Sequence, residues 1–247
     1  MTAKTSGVLL VGRSSGRTQC WLESLALALG SPLAIWAVSR LVPVSGPIAS
    51  HASPEQRFLL WVIPGAVVLW SFVVVLWFVL RSRGLCFRDL GIWRLGTWPA
   101  WVVALLSAAL SISSNLRFLP RMHVPISYAF LPPGLHLPAA LIIGATGGFC
   151  EVVLFRAFLM TEFAYAGYGK VVQVVIPGLA FGLSHAGYLN QGLLPWLGIM
   201  LPIAVIGMVW GISYLLGRRS LVPVIVAHFL NSATAVPWIL FFMVTAH

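Results

Sequence analysis

The sequence predicts an all-α polytopic membrane protein, with about seven transmembrane helices and a polar site inside the membrane. Of the 247 residues, 60% are hydrophobic and 8% are charged, whereas an ordinary soluble domain is about 45–50% apolar and about 25% charged. Seven helices of about 20 residues each would use about 140 residues, which matches the apolar content of the chain. This composition excludes a soluble globular domain and a disordered chain.

Hydropathy divides the chain into apolar segments that are separated by charged, proline or glycine residues. The segments predict membrane spans at 21–42, 58–80, 98–116, 137–161, 171–189, 193–217 and 221–245. Residues 1–20 are polar and lack the apolar core of a signal peptide. We therefore expect a cytoplasmic tail (1–20), a set of N-terminal membrane helices (21–136) and a membrane core that carries the candidate site (137–247).

The net charge of +10, from 15 Lys and Arg against 5 Asp and Glu, is interpreted as a topology signal. On a soluble protein this balance would indicate nucleic acid, but in a membrane protein basic residues concentrate on the cytoplasmic side. We expect a cytoplasmic N-terminus, a C-terminus on the opposite side, contact with the lipid bilayer and no nucleic-acid partner. This orientation puts most of the basic loop residues inside (Lys4, Arg13, Arg17, Arg81, Arg83, Arg88, Arg94, Lys170, Arg218, Arg219) and few outside (Arg40, Arg57, Arg117, Arg121).

Ionisable side chains inside the predicted spans are the candidates for chemistry, because each costs several kcal/mol there unless it is paired or lines a wet cavity. They are Glu151 and Arg156 on the fourth span, His185 on the fifth and His228 on the seventh. Glu151 lies near the middle of its span, where a nearby imidazole or guanidinium would let it act as a general base. Taken alone, Glu151 is explained equally well by a structural hydrogen bond between helices, and a structural role is favoured for Arg156 and for each histidine. Together they favour a functional site.

Two short motifs place further side chains beside the histidines. Phe181 precedes His185 by one helical turn in Phe-Gly-Leu-Ser-His (181–185). Asn231 and Ser232 follow His228 by three and four residues in His-Phe-Leu-Asn-Ser (228–232). An imidazole and an amide or hydroxyl are therefore expected on one helical surface.

Arg156 follows Glu151 by five residues, which is about 140° around an α-helix. The two side chains are therefore not expected to form a direct pair. Arg156 is expected to extend toward the cytoplasm or to bind carbonyl groups of another segment.

The fourth span also carries small residues that permit close helix packing. Gly144 and Gly148 form a small-xxx-small pattern, which would bring the Glu151 helix close to its partners. Cys150 is interpreted as a packing residue. The chain has three cysteines and no CxxC pair, which argues against a disulfide framework and a thiolate zinc site.

An acid, an arginine five residues later, an FxxxH motif and a late HxxxN-like motif occur here in that order. This order resembles that of the CPBP intramembrane proteases, also called the Abi family, which includes the type II CaaX-prenyl endopeptidases. The matching stretches are 151–156, 181–185 and 228–232. The family pattern is EExxxR, FxxxH and HxxxN, so Val152 replaces the second glutamate, and Ser232 stands at the asparagine position with Asn231 one residue early.

The resemblance implies an endopeptidase that hydrolyses a membrane-associated peptide or protein. Glu151 with His185 would activate a water, and His228 with Asn231 or Ser232 would stabilise the oxyanion; Arg156 and Phe181 would support them. Substrate options are a prenylated CaaX protein, a bacteriocin precursor, a C-terminal sorting tail or another membrane peptide. No metal or other cofactor is expected; zinc, held by Glu151, His185 and His228, is the alternative.

Two other function classes fit the same residues. Buried Glu and His also build proton relays in transporters, although the inverted repeats of many transporters are not evident in this sequence. A catalytically silent immunity or binding protein on the same scaffold would accommodate the changes at Val152 and Ser232.

Overall fold

The computed structural model describes residues 16–41, 51–185 and 192–245, and within these ranges all regular structure is helical. The all-α fold predicted from composition is confirmed. The tail at 1–15 lies outside the described residues. The helices are α1 (Arg17–Leu41), α2 (Pro54–Ser82), α3 (Trp98–Leu116), α4 (His136–Tyr165), α5 (Lys170–Leu183), α6 (Leu193–Leu216), α7 (Val222–Ala233) and α8 (Val236–Thr245), with short 3₁₀ turns at Leu119–Met122 and Ile126–Ala129.

Helix lengths agree with a multi-pass membrane protein but do not confirm the count of seven spans. Five described helices are long and apolar enough to cross a membrane, and a sixth span results if α7 and α8 count as one. The segment at 171–189, predicted as the fifth span, forms a helix of 14 residues that ends at Leu183. Part of that prediction, at 186–189, lies outside the described residues.

The segment at 221–245, expected to be one helix, consists of α7 and α8 with a bend of 46° between them. Pro237 lies at the second position of α8. A proline at this point lacks the backbone N–H and its ring clashes with the carbonyl four residues earlier, which here is that of Ala233, the last residue of α7. A proline is tolerated in the first turn of a new helix, so the chain restarts there.

Polar contacts join several helices at one end of the bundle, which we call the Arg83 end. The Arg83 guanidinium lies 2.7 Å from Glu162 and 3.1 Å from Glu23, which links α2 to α4 and α1. The Trp21 indole donates to the Tyr168 hydroxyl at 2.9 Å. These residues come from segments that the charge pattern assigns to one side of the membrane.

Aromatic residues fill the other end of the bundle, which we call the His136 end. The His136 ring stacks on Trp238 with ring centres 4.0 Å apart and contacts Phe241 edge to face at 4.6 Å. Phe58 of α2 lies 6.2 Å from the same imidazole. The start of α4 and the middle of α8 therefore meet here, at the opposite end from Glu162.

Helix α4 lies at the centre of the bundle, because all its side chains from 152 to 160 are buried. The predicted close packing at its glycines is confirmed. A Cβ at Gly148 would come within 3.0 Å of the Phe229 backbone nitrogen, and one at Gly144 within 2.8 Å of the Ala233 Cβ. Cys150 is fully buried in the apolar core, as expected of a packing residue. The absence of side chains at the two glycines lets α7 approach the Glu151 helix closely.

Candidate functional site

Glu151 and His228 meet where α4 packs against α7. Nε2 of His228 lies 3.3 Å from Oε2 of Glu151. The side chains are 5% and 16% exposed, respectively. The two residues that the sequence placed on separate spans therefore form one acid–imidazole pair, in which the imidazole is buried and the carboxylate is partly buried.

The middle of α4 is π-helical over Thr146–Glu151 and Val153–Leu159. Hydrogen bonds in a π-helix run from residue i to i+5, so five residues make slightly more than one turn and residue i+5 is rotated by about 50° from residue i. This geometry turns Arg156 toward the side of α4 that carries Glu151, instead of about 140° away as in an α-helix. No hydrogen bond joins the two side chains in the described part of the chain.

Arg156 does not extend toward the cytoplasm, and that expectation is wrong. The side chain is 1% exposed, and its guanidinium lies over the Phe181 ring, 4.0 Å from the ring centre. It also lies 5.6 Å from the centre of the Trp210 ring. A guanidinium stacks well on aromatic faces, so this cation is held inside the bundle by aromatic rings.

Phe181 lies among the polar candidates. Its ring meets the His185 ring edge to face at 5.1 Å and the His228 ring at 5.8 Å. With Arg156 on its face, Phe181 is in contact with three of the residues that the sequence singled out. The phenylalanine one turn before His185 therefore sets the spacing between both imidazoles and the guanidinium.

His185 lies at the end of the turn that follows α5, next to residues 186–191, which are outside the described chain. Its Nδ1 is 3.0 Å from the carbonyl oxygen of Phe181. A proton on Nδ1 would be donated to that carbonyl, which leaves Nε2 as the nitrogen able to accept a proton. His185 therefore contacts the site through the Phe181 ring. The imidazole that contacts Glu151 directly is that of His228.

Asn231 and Ser232 take different places on α7. A Cβ at Gly147 would lie 3.1 Å from the Ser232 Oγ and 3.3 Å from the His228 Nε2, so Ser232 and His228 both face this turn of α4. The Asn231 Oδ1 is buried and has no hydrogen-bond partner among the described residues. Both side chains therefore remain candidates for the donor role.

Several other buried polar atoms of α4 and α7 also lack hydrogen-bond partners in the described chain. Near Glu151 they are the Thr146 Oγ1, both terminal nitrogens of Arg156 and the Nδ1 of His228, while the Nδ1 of His136 lies at the far end of α4. Buried polar groups in folded proteins are nearly always paired with protein or with ordered water. Their concentration on two packed helices indicates that this contact is a place for water or a polar ligand.

Two residues of α6, Trp210 and Gly207, also contact the site, although neither was predicted from the sequence. The Trp210 ring lies 4.3 Å from the His228 ring, and its indole N–H donates to the Ser107 hydroxyl at 3.0 Å. A Cβ at Gly207 would lie 2.9 Å from the Phe181 ring and 3.0 Å from an Arg156 terminal nitrogen. An uncharged tryptophan and a glycine in an apolar span carry no signal of this role.

The residues expected to hold zinc, if any metal is bound, do not gather into a ligand set. Among the described residues, no three His, Cys, Asp or Glu side chains are placed to share a metal ion. Glu151 and His228 are close, but His185 does not join them as a third ligand. Zinc usually takes three protein ligands in catalytic sites, so we derive no step through a metal.

The helical bundle and its acid–imidazole pair define an integral multi-pass membrane protein with a polar site within it. Residues 133–234 match the family model described as type II CAAX prenyl endopeptidase Rce1-like. The matched segment contains every candidate site residue, and it confirms the resemblance to the CPBP family over that part of the chain. Searches among curated proteins and among solved structures gave no significant match.

Proposed function

We propose that the protein is an intramembrane endopeptidase that hydrolyses a peptide bond of a membrane-associated protein or peptide. The observation that carries the proposal is the contact between Glu151 and His228, in a segment that matches a protease family. A base beside an imidazole, enclosed by apolar helices, provides what water activation and oxyanion stabilisation require.

In the proposed reaction, Glu151 removes a proton from a water while the water oxygen bonds to the peptide carbonyl carbon. The carbonyl oxygen becomes an oxyanion, which accepts hydrogen bonds from His228 and from Asn231 or Ser232. The C–N bond then breaks, and the proton on Glu151 passes to the leaving amine. His185 orients the water with Glu151. No metal or other cofactor takes part.

Arg156 supports Glu151 through its charge. A buried carboxylate is stable only with a compensating partner, and the guanidinium interacts electrostatically with Glu151. The family's second glutamate is Val152 here, fully buried in the apolar core. We infer that Arg156, without an acid at 152, is available to stabilise the ionised form of Glu151.

Reconstituting the purified protein in lipid vesicles and following cleavage by mass spectrometry tests the function. The substrate panel contains prenylated CaaX peptides, C-terminal sorting tails and bacteriocin-type precursors. We expect cleavage of at least one class, and no loss of activity in excess chelator. Failure of the whole panel, together with proton flux across the vesicles, would favour a transporter; failure without flux would favour a silent binding protein. Loss of cleavage on chelation, restored by zinc, would contradict the metal-free mechanism.

A further inference from the structure

Thr146, Glu151 and Arg156 are spaced at intervals of five along α4. On a regular α-helix each interval would rotate the next side chain by about 140°. The π-helical segments Thr146–Glu151 and Val153–Leu159 span most of these positions, so each interval rotates the next side chain by about 50° and the three side chains lie on one half of the helix surface. Two of the three belong to the candidate site, and Thr146 belongs to no motif.

The Thr146 hydroxyl is buried without a partner. The residue is 5% exposed, and its Oγ1 makes no hydrogen bond within the described chain. A threonine in a helix ordinarily donates to a backbone carbonyl one turn earlier, as Ser24 and Ser31 do in α1. Burying a hydroxyl without a hydrogen bond is unfavourable. The hydroxyl is therefore expected to bind something that enters the site.

The residue next to Thr146 shows which part of α7 this turn of α4 faces. Gly147 packs against the His228 Nε2 and the Ser232 Oγ, and the same Nε2 contacts Glu151. On α7, His228 and Asn231 each carry a further buried polar atom without a partner. The turn that holds Thr146 thus borders the acid–imidazole pair, where unpaired polar atoms accumulate.

We propose that the Thr146 hydroxyl is a further residue of the site and hydrogen-bonds the water that Glu151 activates. This inference rests on the proposed hydrolase function. Thr146 keeps its own proton throughout, while the water gives one proton to Glu151 and its oxygen bonds to the carbonyl carbon. The hydroxyl fixes the direction of that water, so its removal lowers the rate of the chemical step more than it lowers substrate binding.

Three variants of the full-length protein in vesicles test the proposal kinetically. Thr146→Val removes the hydroxyl and keeps the shape; we expect kcat to fall by about tenfold or more, with KM nearly unchanged. Thr146→Ser should restore most of the rate. Because the hydroxyl is unpartnered, Thr146→Val should not lower the melting temperature. The control Thr161→Val removes a hydroxyl on the same helix, ten residues beyond Glu151, and it should leave turnover intact.

An infrared measurement makes the proposal testable without proteolysis. The carboxyl stretch of Glu151, identified by its loss in Glu151→Gln, should shift in Thr146→Val and stay unshifted in Thr161→Val. If the wild-type protein cleaves nothing, the proposed function fails, and this band still decides whether Thr146 and Glu151 share a water. An unshifted band, or full activity in Thr146→Val, would overturn the role of Thr146.

Discussion

His228 contacts Glu151 through its Nε2 at 3.3 Å, although the two residues belong to different helices and to different sequence motifs. The contact depends on Gly147, which lies between the two helices and has no side chain to separate them. The pair also contacts the rest of the site, because the His228 ring packs on Phe181 and Trp210. The proposed chemistry depends on this arrangement.

Gly207 is expected to be intolerant of even one added methyl group. Alanine there would place its Cβ 2.9 Å from Phe181 and 3.0 Å from the Arg156 guanidinium, so both must move. We expect Gly207→Ala to lower turnover by about tenfold to a hundredfold. Gly211→Ala is the matched control, since its Cβ would lie 3.4 Å or more from its neighbours in ordinary contact. Equal activity of the two variants would mean that the position of Arg156 does not matter.

The identity of the oxyanion donor on α7 is tested by two substitutions. The amide of Asn231 has two donor hydrogens, whereas the Ser232 hydroxyl has one and can bond back to a carbonyl. We expect Asn231→Ala to lower turnover by about 10²–10³-fold and Ser232→Ala to cost under about tenfold. Kinetics of both variants, with expression and melting checked, decide between them. If Ser232→Ala instead causes the larger loss of turnover, the oxyanion donor is the Ser232 hydroxyl, four residues after His228.

The contacts of Arg83 are expected to stabilise the bundle without affecting the chemistry. The guanidinium neutralises Glu162, whose side chain is only 4% exposed, but is itself 26% exposed. Allowing for solvent screening, we expect Arg83→Gln to reduce the free energy of unfolding by about 1–2 kcal/mol. Thermal unfolding in detergent measures this change, with Arg81→Gln as the control. Turnover of the folded fraction should equal that of the wild type, and a selective loss of turnover would place Arg83 in the reaction.

The termini are expected to lie on opposite sides of the membrane, with the N-terminus in the cytoplasm, because basic residues concentrate in the loops assigned to that side. Single cysteines near each terminus, in a background without Cys20, Cys86 and Cys150, can be labelled with an impermeant reagent in intact cells. We expect labelling near the C-terminus alone. Labelling at both termini or at neither would mean that an even number of spans crosses the membrane.

Part of the site could be predicted because the sequence is so apolar. In such a background Glu151 and His228 stand out as polar, ionisable groups that need partners, and the structure pairs them. The aromatic residue before His185 was also found, because one helical turn places Phe181 on the same face. These inferences needed only side-chain chemistry and helical spacing.

The remaining features depend on backbone geometry that hydropathy does not report. Arg156 was misplaced because its direction was calculated for an α-helix, whereas this part of α4 is π-helical. Thr146 was not predicted as a site residue for the same reason, since on an α-helix it would lie about 140° around from Glu151. The bend before Pro237 was missed because an apolar run of that length is equally compatible with a straight helix. The sequence does not indicate that Trp210 and Gly207 contact the site, because these contacts depend on how α6 packs against its neighbours.

The comparison of Glu151→Gln with Glu162→Gln tests the central claim most directly. Both substitutions neutralise an acid on α4, but Glu162 pairs with Arg83 at the end of the bundle. With folded protein at equal concentration and a cleaved peptide as substrate, we predict that Glu151→Gln lowers kcat by about 10²–10⁴-fold while Glu162→Gln retains most of it. Wild-type turnover in Glu151→Gln would contradict the assignment of Glu151 as the base.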